Sequence, residues 1–321
     1  MNHTLKKWIT TIGIIALLAG AWAFGAYQQN PYIHKQWWQS LKQTLSPRAS
    51  QAQAQIEQQT LRTEQQNSAH NTIQGDSIHR LIRYPGKQSV PCPAQTERTW
   101  VLFISGQSNS ANHAGQRHAS QHGDQVLNYF DGQCYIAQSP LLGATGLEGE
   151  SWTLLGNLAI EQGLADRVII STNGVGGSSI EQWQSNPPFY QGMQRALDSV
   201  QQTYRVTHML WHQGESDFIK QMPAAEYQQR FTTMLDTLRQ RGMNAPVYIS
   251  ITSQCWMNPL WREDNAIRTA QKSLIANTWN ARAGVDTDLL LNELDRFDNC
   301  HFGASGQEKF ARGWLEILVS Q

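Results

Sequence analysis

The sequence predicts an α/β domain built on a mainly parallel, five-stranded sheet with helices over both faces. Three observations carry this expectation. Between Thr99 and Gln321, short β-branched apolar runs alternate with longer amphipathic stretches, as in successive βα units. The runs are continuously apolar, as strands buried on both faces must be. Small polar and glycine-rich segments follow them, and ligands bind at that end of an open parallel sheet.

The elements follow in order. Strands are expected at "TWVLFIS" from Thr99, "RVIIST" from Arg167, "VTHMLWH" from Val206, "PVYISIT" from Pro246 and "DLLLNE" from Asp288. Helical spacing of apolar residues marks "SWTLLGNLAIEQGL", "YQGMQRALDSVQQTY", "AAEYQQRFTTMLDTLRQRG" and "NAIRTAQKSLIANTW" between them. "SGQEKFARGWLEILV" closes the chain as a last helix.

The region before Thr99 has a different composition. Lys6 and Lys7 precede an uncharged run whose apolar part, "WITTIGIIALLAGAWAFGAY", has roughly the ~20 residues that a bilayer-spanning helix needs. Residues 1–27 are therefore read as a membrane anchor, with a cleaved signal segment as the alternative. The lysines in front place the remainder outside the cytoplasm, anchored at the inner membrane with the domain in the periplasm, or secreted if cleavage occurs. Residues 28–98, with "QAQAQIEQQTLRTEQQ", carry few large apolar residues and read as a Gln-rich spacer; residues 99–321 form the domain. Charged residues make up 16% and the formal net charge is zero, so nucleic-acid binding has no electrostatic support.

The chemistry is concentrated in the loops after the strands. Ser108 in "GQSN" stands just past the first one. A serine hydroxyl needs a base for its proton and donors for the oxyanion. His301 in "DNCH" is the expected base, and Asp298, in the same loop, its orienting carboxylate in preference to Asp295. In "GVGG", Gly176 or Gly177 can bring a backbone N–H close to a ligand, and the Gln213 side-chain amide is a further donor.

Together, "GQSN", "GVGGSSIEQW", "WHQGESD" and "DNCH", in that order, resemble the SGNH (GDSL-like) hydrolase superfamily, most closely its sialate O-acetylesterase-like branch of carbohydrate esterases. The resemblance covers Thr99 to the C-terminus. It implies a three-layer α/β/α sandwich with Ser108, His301 and Asp298 as the triad. The oxyanion hole would comprise the N–H of Ser108, that of Gly176 or Gly177, and Gln213. Gln107, Asn109 and Glu215 would brace the site or touch substrate. After the base, Phe302 stands where proline is common in that branch.

The activity implied is removal of O-acetyl groups from a carbohydrate through an acetyl-serine, with no metal or organic cofactor. A glycan O-acetyltransferase using the same triad and a non-catalytic glycan-binding envelope protein are the alternatives. Trp256 and Trp261, beyond the fourth strand, are expected to contact carbohydrate; Trp183 and Trp211 suit either a sugar or the gap between sheet and helix. His208 and His212 lie on a strand and are assigned to packing, and His113, His118 and His122 to an exposed loop. Of the four cysteines, Cys255 and Cys300 belong near one rim of the sheet and are paired, leaving Cys92 with Cys134; four independent thiols are the alternative.

Overall fold

The computed structural model describes residues 72–184, 187–256 and 261–320. The expected membrane segment, residues 1–27, and the Gln-rich stretch as far as residue 71 lie outside them. Among the described residues, no helix is long and apolar enough to cross a membrane.

In chain order the strands are β1 (Gln74–Gly75), β2 (Leu81–Arg83), β3 (Ser89–Val90), β4 (Thr99–Gly106), β5 (Val126–Phe130), β6 (Gln133–Ile136), β7 (Arg167–Thr172), β8 (His208–His212), β9 (Val247–Ile251) and β10 (Ala281–Asp286). The helices are α1 (Trp152–Glu161), α2 (Pro188–Thr203), α3 (Glu215–Ile219), α4 (Ala224–Gln240), α5 (Ala266–Asn277), α6 (Thr287–Leu290) and α7 (Ala304–Val319).

Eight strands form one sheet in the order β10-β9-β8-β4-β7-β5-β6-β3. From β10 to β5 every pairing is parallel, while β6 and β3 close the other edge antiparallel. The central sheet is thus mainly parallel, as expected, but wider than five strands. The added pair β5–β6 is a hairpin turned by Asp131 and Gly132, both at positive φ, the conformation an Asp-Gly hairpin turn adopts.

Successive side chains of β4 point to opposite faces. Val101 and Phe103 join a core with Trp183, Leu197, Trp211, Phe231 and Leu274 beneath α2, α4 and α5. Leu102 and Ile104 join a second core with Trp152, Phe310 and Trp314 beneath α1 and α7. Each face buries large apolar side chains whose removal would cost about 2–5 kcal/mol apiece.

Two expectations need correction. "DLLLNE" is not the last strand: Thr287–Leu290 is a short helix with Asp286 accepting from Leu289 N–H, and the strand is "ARAGVD" just before it. As an edge strand, β10 is only partly buried and needs no continuous apolar run. Nor does the folded unit wait for Thr99. Ile78 and Leu81 are buried, Leu81 exchanges backbone hydrogen bonds of 2.8 Å with Gly143 and Ala144, and Cys92 is bonded to Cys134. The Asp76–Arg80 ion pair, 2.8 Å, fixes this short segment where apolar content alone would not.

Candidate active site

In chain order β7 and β8 come after β4, yet they flank it in the sheet. The loops leaving these strands therefore meet at one end of the sheet, around the turn that carries Ser108. At Gly106 the chain must pass close to β8. Its φ is +136°, and a Cβ there would lie 2.0 Å from the carbonyl oxygen of His212, so only glycine fits. Ser108–Ser110 then form a single 3-10 turn. The side chains on either side of Ser108 tie this turn to two other loops. Gln107 Oε1 accepts from the N–H groups of Gly214 (3.4 Å) and Ser216 (3.2 Å). Asn109 Nδ2 donates to Glu215 Oε1 (3.1 Å) and to the carbonyl of Cys300 (3.3 Å). Ser108 is 5% exposed, and its N–H donates no backbone hydrogen bond among the described residues.

The Asn109–Cys300 bond joins the serine turn to the loop of Asp298 and His301. His301 Nδ1 lies 2.6 Å from Asp298 Oδ2, while Asp298 Oδ1 accepts from the backbone N–H groups of Cys300 (3.0 Å) and His301 (2.7 Å). Partial burial works against ionisation of Asp298, but the His301 ring and these two N–H groups outweigh it and hold the carboxyl below the usual range. With Nδ1 committed to the carboxylate, Nε2 is left to exchange a proton. The rejected alternative, Asp295, faces Ser305 (2.6 Å) and Lys309 (2.7 Å) instead.

Cys300 is bonded to Cys255, as paired from the sequence, which fastens the base loop to the end of β9. Trp256 follows at once, 58% exposed, with its N–H on the Asn299 carbonyl at 2.8 Å. The other rim tryptophan, Trp261, is partly buried and donates to Ser253 Oγ at 3.2 Å. Phe297, also exposed, lies beside His301 with ring centroids 6.0 Å apart and planes 28° from parallel.

The oxyanion side differs from the sequence reading in two places. Gly176 does not present its N–H to the cleft, because that group donates to Thr145 Oγ1 at 2.7 Å. Gly177, at φ +68°, has no backbone hydrogen bond from its N–H among the described residues. The Gln213 amide is fully buried, with Nε2 donating to the Ser178 carbonyl (3.1 Å) and to Asp217 Oδ2, and Oε1 accepting from Tyr227 (3.0 Å). A competing acceptor one helical turn along explains this. Asp217 is buried, which raises it to about 6, yet it draws the Gln213 amide and the Ile180 N–H.

Glu215 is buried as well. Burial works to raise it, but His212 Nε2, at 3.3 Å, and Asn109 hold it below the usual range. It braces the serine turn from below. Trp183 and Trp211 are wholly buried with ring centroids 5.5 Å apart and fill the gap between sheet and helix. His208 packs between Trp100 and Tyr248, and burial lowers it to about 4.

His113 is not the exposed loop residue expected. Its ring lies alongside that of His301, with centroids 5.7 Å apart and planes within 22°. Thr145 and Asp217 are the site residues that the sequence did not single out, and His113 is the one it assigned elsewhere. Only Asp217, within "QGESD", stood in a motif already in view.

The family model described as "Carbohydrate esterase, sialic acid-specific acetylesterase" matches residues 98–319. No curated protein matches the chain by sequence. Among solved structures, a protein of Arabidopsis thaliana is 18% identical, with 70% of this chain and 98% of that one covered at a TM-score of 0.54. That likeness is one of fold. An esterase of Pseudoalteromonas sp. is 16% identical over 68% of this chain and 97% of its own, with a TM-score of 0.44. A family 3 carbohydrate esterase of Talaromyces cellulolyticus is 14% identical over 69% and 97%, with a TM-score of 0.43.

Proposed function

This chain belongs to the sialic acid-specific acetylesterase family of carbohydrate esterases, and on that premise we propose that it removes O-acetyl groups from a carbohydrate by double displacement at Ser108. The observation that carries this reading is the 2.6 Å His301–Asp298 pair on a loop hydrogen-bonded to the serine turn through Asn109 and Cys300.

In the first step Ser108 Oγ attacks the acetyl carbonyl carbon and His301 Nε2 takes its proton. The negative oxygen of the tetrahedral intermediate is met by the N–H groups of Ser108 and Gly177, neither of which is spent on a backbone acceptor among the described residues. His301 then protonates the departing sugar oxygen. Water, deprotonated by His301, hydrolyses the acetyl-serine and releases acetate. Asp298 keeps the imidazole in the tautomer that both steps need. Exposed Phe297 lies beside the base and exposed Trp256 is bonded through its N–H to the base loop at Asn299; both suit the apolar face of a sugar ring.

Two disulfides suit an oxidising compartment. We place the domain outside the cytoplasm, held to the membrane by residues 1–27. Acetate release from O-acetylated sialic acid, xylan and peptidoglycan, with S108A as control, tests the reading. One of these substrates should yield acetate with wild type alone, and release from none of them, or equally with S108A, would refute it.

A further inference from the structure

The nucleophile loop carries a second histidine that the reaction as described leaves unused. His113 Nε2 lies 3.0 Å from Thr145 Oγ1, and the same hydroxyl oxygen accepts the Gly176 N–H at 2.7 Å. Thr145 is 7% exposed and has no other side-chain partner among the described residues. A buried hydroxyl needs an acceptor for its own proton, and His113 Nε2 is the acceptor in reach. The direction is then fixed from end to end. Gly176 N–H donates to Thr145, Thr145 O–H donates to His113 Nε2, and the imidazole is neutral with its proton on Nδ1.

Packing imposes the same arrangement. A Cβ on Gly176 would come within 2.7 Å of His113 Nε2, and one on Gly146 within 2.9 Å of the same atom. The ring thus occupies space that two glycines leave open. The backbone under it is pinned: Asn112 N–H donates to the Thr145 carbonyl (2.9 Å), and the Asn112 side chain exchanges hydrogen bonds with Leu141. Its other side meets the catalytic base, since the His113 and His301 rings lie 5.7 Å apart and nearly parallel.

We propose that His113 is a positioning residue: through Thr145 it fixes Gly176, and so aims the neighbouring Gly177 N–H at the oxyanion, while its uncharged ring holds the imidazole of His301 in place. Burial first, and then the proximity of His301, lower His113 to about 4, which keeps it an acceptor at neutral pH. This inference rests on the serine-esterase reading of the same site. It adds a second function for the glycines of "GVGG": Gly176 makes room for a histidine, and Gly177 supplies the donor.

The test is a double-mutant cycle on full-length protein with p-nitrophenyl acetate as probe. H113F keeps an aromatic ring and loses the acceptor; T145V keeps the shape and loses the hydroxyl. Each should lower kcat roughly 10–100-fold with KM within about two-fold, the size expected when one oxyanion donor is misplaced. The double variant should be little worse than the poorer single one, because both break one chain. H113Q, whose amide oxygen can accept from Thr145, should recover part of the loss, and it carries the test with T145V if H113F does not fold. Wild-type kcat in H113F and T145V, a loss confined to KM, or fully additive losses would overturn the proposal. S108A separates the two levels: if it retains activity, the esterase reading itself fails; if it is inactive while the His113 and Thr145 variants are at wild-type rate, only the positioning role does.

Discussion

The two halves of the site are built on different length scales. On the base side, Asp298, Cys300 and His301 fall within four consecutive residues, and Asp298 Oδ1 and Oδ2 are satisfied inside that loop. On the oxyanion side, Gly176 is set by Thr145, Thr145 faces His113, and Gln213 is held by Asp217 and Tyr227. Those groups come from the segments after four different strands, with Asp217 on helix α3 and Tyr227 on helix α4. A local constellation is fixed by chain connectivity and tolerates movement of its surroundings. A constellation gathered from distant loops depends on every hydrogen bond that gathers it.

The largest expected effect lies on the local side. H301A should lower kcat for acetyl-ester hydrolysis by about 10⁴-fold, with circular dichroism unchanged, because the base is partly exposed and supports no core. A residual rate within ten-fold of wild type would show that another group takes the proton, and the two halves would have to be redrawn.

The disulfides sharpen the contrast. Removing either pair as a double serine variant should cost roughly 2–4 kcal/mol of stability, read from urea denaturation. Only the C255S/C300S variant should also lose kcat, by about ten-fold at a temperature where it stays folded. Cys300 adjoins the base, and its carbonyl accepts from Asn109 and from Arg296 at 2.7 Å. Cys92–Cys134 ties β6, the strand next to the edge, to the segment between β3 and β4 and belongs to neither the serine turn nor the base loop. Equal kcat losses in both variants would mean that the base loop is not specially dependent on its tether.

Much of this could be read in advance, and the same distinction of scale explains where it could not. The strands β4, β7, β8 and β9 are short apolar runs buried on both faces, which leaves a direct mark in the sequence. The edge strand β10 is "ARAGVD" and leaves none, while the exposed leucines of "DLLLNE", Leu289 at 58%, imitate a strand. The β5–β6 hairpin does leave a signal, the Asp131-Gly132 turn between two short runs. At the site, the spacing of Asp298 and His301 predicts their contact. No spacing connects His113 with Thr145 or Gly176, since the first two stand 32 positions apart in the chain and the contact exists only once the sheet has formed. The Gln213 amide is turned to Ser178, Asp217 and Tyr227, which no motif could show, because a motif gives the side chain present but not the acceptor that claims it.

A smaller effect concerns pH. Asp298 titrates lower in the folded protein than in the unfolded chain, so its pairing stabilises the fold above the ordinary carboxylate value of about 4. That contribution is lost as pH falls through the depressed folded value. Melting curves of wild type and D298N should therefore differ most near neutrality and converge as pH falls through the depressed folded value. A difference that stays constant over this range would show that Asp298 does not remain ionised in the loop.

The central claim is that one serine, on the turn between β4 and the other loops, becomes acylated. A phosphonate ester that mimics the tetrahedral intermediate provides the direct measurement, read as stoichiometry and position by mass spectrometry of the full-length protein and its peptides. One adduct per chain is expected, on Ser108, formed in step with loss of acetyl-ester hydrolysis, and none in S108A or H301A. An adduct on another residue, or complete inactivation with Ser108 unmodified, would contradict it.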